Sequence, residues 1–187
     1  MKNILLLLFL FWFSAAVGQE KPEYKSKGYT NITEVGALTY FESRHTTHTY
    51  ASLRTMNGIY LSKSVQIGIG TGLDIYEHSW IPVYADCRVI FLENRVSPYV
   101  YANAGYAFAL GKDFTSNGFY TGPKAYHQGF LFDCGLGVRA FLPNNKTSAL
   151  FSLGYHLQER HPVFNSKSDW DASFNTSYFH IKTGFSF

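Results

Sequence analysis

Charge is scarce in this sequence. Asp, Glu, Lys and Arg make up 16% of its 187 residues, and the formal net charge is +3. A disordered chain carries high charge and few aromatics, so disorder is excluded. A balance of +3, scattered along the chain, offers no basic surface for nucleic acid. Long apolar runs are missing too. The longest, residues 4–13, falls short of the roughly 20 residues that a membrane-spanning helix needs. The Ala-, Glu-, Lys- and Leu-rich composition of bundles and coiled coils is also absent. Aromatics are abundant instead, with 14 Tyr and 17 Phe beside 16 Gly. With a mean hydropathy of -0.10, that composition points to an all-β protein, one that faces lipid if its outer surface is apolar.

The first 18 residues read as a secretory signal peptide. Lys2 supplies the positive end, residues 4–13 the apolar core, and Ala16 and Gly18 the small positions before a cleavage site. Cleavage is expected after Gly18. No Cys stands there to carry a lipid anchor. Residues 19–27 are polar and expected to be a flexible lead-in to one domain over 28–187.

From Gly28 onward the sequence has the two-residue period of β-strands. Val65, Ile67, Ile69, Thr71, Leu73 and Ile75 alternate with Gln66, Gly68, Gly70, Gly72, Asp74 and Tyr76. Similar segments run at 28–41, 49–61, 64–76, 80–91, 96–110, 129–142, 147–158 and 173–187. They are longer than ordinary soluble strands and suit tilted membrane strands, which need about 9–11 residues in the hydrocarbon. Links near 62, 93 and 145 are tight, whereas 42–48, 111–128 and 159–172 are long; 77–79 is the short exception. Short turns at one end and long loops at the other mark an outer-membrane barrel with both termini at the short-turn end.

The polarity of the two faces supports this. In residues 81–91, Ile81, Val83, Ala85, Cys87, Val89 and Phe91 share one face; Pro82, Tyr84, Asp86, Arg88 and Ile90 share the other. If the apolar face meets lipid, the charged and Gly-rich face lies inside. Collecting strand charges of that parity gives Glu34, Asp74, Asp86 and Asp133 against Arg54, Arg88, Arg139 and Lys182. Four acids then meet four bases in a lumen about filled by its own side chains. Aromatics at strand ends are expected to form lipid-facing girdles: Tyr40, Phe41, Tyr76, Trp80 and Phe108 at the outer rim, Tyr60, Phe91, Phe141 and Phe187 at the inner one.

At the end of the chain, Phe179, Ile181, Phe185 and Phe187 fall on one parity. This pattern resembles the signal read by the machinery that inserts outer-membrane barrels. Together with Gly68 to Asp74, Ile81 to Arg88, Pro98 to Tyr106 and Gly135 to Arg139, it makes the chain resemble the small outer-membrane β-barrel family, OmpA- and OmpX-like. The resemblance covers residues 28–187. It implies an eight-stranded antiparallel up-and-down barrel in the outer membrane, surrounded by lipid and lipopolysaccharide. It implies no reaction. Asn103 stands where the resemblance implies an acid.

Other chemistry is thin. Cys87 and Cys134 lie on lipid-facing parity with a strand between them, about 9.6 Å apart and beyond disulfide reach. His45, His48, His78, His127 and His161 cluster at the long-loop end without metal-ligand spacing. Glu77, His78 and Ser79, or Ser152 with His156, sketch a lipid A-modifying site only on paper. The expectation is therefore a non-enzymatic structural or surface-interaction protein without cofactor. Its extracellular ligand would be recognised through loops 111–128 and 159–172. A small-solute diffusion channel is the alternative.

Overall fold

The computed structural model describes residues 27–41, 47–76, 79–110, 125–143, 146–163 and 174–187. The expected signal peptide and nearly all of the lead-in at 19–27 lie outside these residues. Among the described residues nine strands are formed: β1 (Gly28–Phe41), β2 (Thr47–Tyr60), β3 (Val65–Ile75), β4 (Ser79–Ile90), β5 (Val96–Leu110), β6 (Ala125–His127), β7 (Gly129–Phe141), β8 (Ser148–Val163) and β9 (Phe174–Ser186). The described residues contain no helix.

Each long strand pairs antiparallel with its neighbour, and β9 pairs with both β8 and β1. That last pairing closes eight strands into a barrel. β6 is a three-residue piece set on the rim, where Ala125, Tyr126 and His127 face Val163, Pro162 and His161 of β8. Here the structure departs from the expected loops. β8 was expected to end at 158 but continues to Val163, so loop 159–172 begins later, and the end of loop 111–128 is strand. Apolar alternation fades after residue 158 because lipid no longer selects it. Backbone pairing of Glu159 and Arg160 with β9, and of residues 161–163 with β6, carries the strand onward.

The polarity of the wall is the reverse of a soluble barrel. Ile69 is 71% exposed and Leu136 65%, while Asp74, Asp133 and Trp80 are 0–1% exposed. An Arg or Lys turned outward near the midplane would cost about 2–4 kcal/mol and an Asp or Glu somewhat less, so parity is strongly enforced. Cys87 and Cys134 flank Ala102 in register and are free thiols.

Parity also corrects the girdles. Phe91, Phe108 and Phe187 face outward. Tyr76, Trp80 and Tyr60 are buried inside instead, and Tyr40 packs against the inner aromatic cluster. Each shares its strand's inward face with a charged residue: Tyr40 with Glu34, Tyr60 with Arg54, Tyr76 with Asp74 and Trp80 with Asp86. Phe141 lies beneath the Arg139 guanidinium, 4.7 Å from it. The Phe41 side chain lies outside the described residues.

Inward glycines make room for the tyrosines. A Cβ on Gly70 would meet the Tyr84 ring at 2.3–2.5 Å, with no backbone atom among its three nearest neighbours. Gly70→Ala should therefore destabilise the barrel by about 1–3 kcal/mol through overpacking. Most of that loss should disappear in Gly70→Ala/Tyr84→Leu compared with Tyr84→Leu alone. Urea unfolding in lipid vesicles measures both differences.

Candidate functional site

The interior is layered along the barrel axis. Near the short-turn end Ile32, Met56, Ile90, Tyr99, Tyr101 and Leu150 form one apolar layer. Toward the long-loop end Leu38, Tyr76, Trp80, Tyr84, Ala107, Leu131 and Tyr178 form another. A belt of ions lies between them.

Two clusters make up the belt. In one, Arg88 grips Glu34 with both terminal nitrogens, Nη1 to Oε1 at 3.2 Å and Nη2 to Oε2 at 2.8 Å. Its Nε donates to Asp86 at 3.1 Å. In the other, Arg54 donates Nη2 to Asp74 at 2.7 Å and Nη1 to Asp133 at 2.8 Å. Lys182 Nζ reaches the same Asp133 oxygen at 3.1 Å and sits 3.6 Å from the centre of the Tyr101 ring. Tyr101 donates its hydroxyl to the other Asp133 oxygen at 3.0 Å. Strand position explains the convergence, because side chains of one parity from β1, β2, β3, β4, β7 and β9 all enter one narrow lumen.

All eight charges collected from the sequence lie inside and are at most 4% exposed. Their pairing is not one to one. Arg54, Arg88 and Lys182 hold all four acids. Arg139 lies closer to the short-turn end, where Nη1 donates to the Tyr60 hydroxyl at 3.4 Å.

The structure adds partners that the sequence reading missed. His180 donates Nδ1–H to Asp133 at 3.1 Å, since a carboxylate only accepts. His156 Nδ1 lies 3.4 Å from Arg54, and its Nε2 3.2 Å from the Tyr76 hydroxyl. Arginine only donates, so Nδ1 accepts and Nε2 carries the proton. His180 shares inward parity with Lys182, a lumen position already collected from the sequence, whereas His156 lies on a strand that carries none of those eight charges. For His180 that signal was available before the fold was known.

Asp133, His156 and His180 bring one ligand atom each within 4.8 Å of one another. This is the spacing of a metal site, but its electrostatics oppose one. Arg54, Lys182 and His180 already converge on Asp133 Oδ2, and two fixed cations stand where a third would enter. Ser152 and His156 are buried in the lumen, turned away from the lipid where an acyl substrate would lie. Glu77, His78, His45 and most of loops 111–128 and 159–172 lie outside the described residues.

Asn103 sits between two acids. In register it faces Asp86 on one side and Asp133 on the other. With its amide nitrogen turned toward Asp86 it donates to Oδ2 at 2.6 Å and to Ala102 O at 3.1 Å. An acid at this position would place three carboxylates in one row. Asn103→Asp should cost about 3 kcal/mol of stability at neutral pH. Urea unfolding of both forms in lipid vesicles tests this.

No family model matches the chain, and no curated protein matches it. Solved structures do. Neisserial surface protein A is similar at a TM-score of 0.57 and 14% identity, over 87% of this chain and 98% of that one. The N-terminal β-barrel domain of OprF from Pseudomonas aeruginosa is similar at 0.53 and 15%, over 85% and 97%. The outer membrane protein OprG from Pseudomonas aeruginosa is similar at 0.56 and 8%, over 90% and 98%. At these identities the likeness is one of architecture: the chain has the eight-stranded, all-antiparallel transmembrane fold of small outer-membrane β-barrels.

Proposed function

We propose that this chain is a non-enzymatic outer-membrane barrel with a closed lumen, serving a structural or surface-interaction role in the envelope. The observation that carries the reading is the ion belt. Each of its four acids is ion-paired and at most 4% exposed, and an apolar layer lies on either side. Water and solutes would have to break charge-assisted hydrogen bonds in a low-dielectric interior to pass. The lipid-facing wall supports an outer-membrane location, with lipid and lipopolysaccharide as its surroundings. On β9 the outward Phe179, Ile181 and Phe185, followed by Phe187, offer the insertion machinery an exposed apolar stripe. Recognition of an external ligand falls to the long-loop end, since loops on a rigid scaffold carry most binding.

Planar-bilayer recordings test the closed lumen. Refolded protein should give no steady single-channel steps. Large, regular steps would establish the small-solute channel instead. The belt should also behave as one unit in stability. Arg54→Met strips a partner from both Asp74 and Asp133 and should cost about 3–5 kcal/mol. Arg54→Met/Asp74→Asn restores the charge balance and should cost clearly less, as read by urea unfolding in vesicles.

A further inference from the structure

One sector of the lipid-facing wall is polar. On β1, β2 and β3, Thr33, Thr55 and Thr71 stand abreast in register at the middle of the wall. One outward position nearer the short-turn end, Asn31 faces Asn57 in register. None of these five residues is buried. Apolar outward neighbours lie on either side along the strands. Val35 and Leu53 stand toward the long-loop end, Ile59 and Ile67 toward the short-turn end, and all four are exposed. The patch therefore sits within the hydrocarbon band and not at its edge. The rest of the wall differs: outward positions of β4, β5 and β7 over 81–89, 100–108 and 130–138 hold no Ser, Thr, Asn or Gln.

The patch is bonded within itself but not saturated. The Thr33 and Thr55 hydroxyls lie 3.2 Å apart. Asn57 Oδ1 accepts from Asn31 Nδ2 at 2.8 Å and from the Tyr29 hydroxyl at 2.5 Å. Among the described residues nothing accepts from the Asn57 amide nitrogen, and the Thr71 hydroxyl has no partner. Water would satisfy both groups at no cost. Hydrocarbon offers neither acceptor nor donor, so each group is penalised until another polar group reaches it.

We infer that a second copy of this chain docks on the patch within the membrane. Amides and hydroxyls both donate and accept, so the patch is complementary to itself, as a two-fold interface requires. An axis along the membrane normal, beside Thr55 and Asn57, sets β2 against β2 and β1 of each copy against β3 of the other. Asn57 then faces the other copy's Thr55, a hydroxyl acceptor, and Thr71 faces the other copy's Thr33. The patch carries no formal charge, so its partner need bring none. Three short threonines let the two walls approach closely, with Leu53, Ile59 and Ile69 packing around the polar centre. A lipid is the competing occupant. A trough of about 940 Å³ runs from the patch over Ala85, Cys87, Ala102 and Ala104 and fits an acyl chain, but such a chain leaves Asn57 and Thr71 unsatisfied. The inference needs the wall to lie in lipid and holds for an open or a closed lumen.

Cysteine cross-linking in lipid vesicles tests the face. In the Cys87→Ala/Cys134→Ala chain, Thr55→Cys should form a disulfide-linked dimer on mild oxidation about tenfold faster than Leu153→Cys, an exposed position on β8. Sedimentation equilibrium in density-matched micelles tests the chemistry. Asn57→Leu should weaken self-association about tenfold and Thr71→Val about threefold. Thr71→Val removes no hydrogen bond of the single barrel, so it should melt with wild type while associating less; a purely structural threonine would not separate the two readouts. Ala85→Leu/Ala104→Leu fills the trough and should leave association within about twofold. Equal cross-linking from both positions, no cross-linked dimer in vesicles, or wild-type association in both Asn57→Leu and Thr71→Val overturns the inference. So does a monomer that retains one phospholipid in native mass spectrometry and loses it in Asn57→Leu, which would make the patch a lipid site.

Discussion

The fold depends on Asp133 being held from several sides. Its carboxylate is fully buried and receives Arg54, Lys182, His180 and Tyr101. Those groups come from β2, β9 and β5, and Asp133 itself from β7, so one side chain ties together strands far apart around the barrel. A buried carboxylate with fewer partners would be costly, and an apolar residue in its place would leave Lys182 with a large desolvation penalty. The ions thus tie β7 to β2 and β9, strands with which it shares no backbone pairing.

Aromatic rings do the remaining work of filling space. Tyr84 lies over the bare backbone of Gly70, and Tyr101 over Gly154 and Gly135. Those same rings then serve the ions. The Arg54 guanidinium lies 5.6 Å from the Tyr84 ring centre, and Arg88 lies within 5.8 Å of Tyr99 and Tyr101. Glycine on one strand, tyrosine on the next and a cation on a third form a repeated local unit, each part sized for the others.

Much of this was legible in the sequence because a barrel wall has a strict two-residue period. Once lipid selects the apolar face, every charge of opposite parity must enter the lumen, and all eight do. Parity does not give distance across a lumen, so four acids and four bases read as four pairs, whereas Asp133 takes several partners and Arg139 lies apart. Tyr76, Trp80 and Tyr60 were misassigned to the rim because aromatic enrichment at interfaces is a tendency, while parity is a constraint. Arg160, whose guanidinium lies over the Tyr76 ring, was hidden for a different reason. Its strand continues beyond the apolar wall, where the period fades and only hydrogen bonding to β9 and β6 marks the strand.

Closure joins β1 to β9, whose paired residues lie at opposite ends of the chain: Ile32 faces Ser186 and Thr39 faces Phe179. Asn31 and Phe187 seal the seam with reciprocal backbone hydrogen bonds of 3.2 and 2.9 Å. Contacts of such long sequence separation form late, because loop-closure entropy must be overcome first. Until β9 is in place, β1 presents a bare edge and Asp133 lacks Lys182 and His180. The incomplete sheet is therefore an open strand edge with an under-compensated acid, the form most exposed to mispairing and most in need of being held while the last strand is delivered.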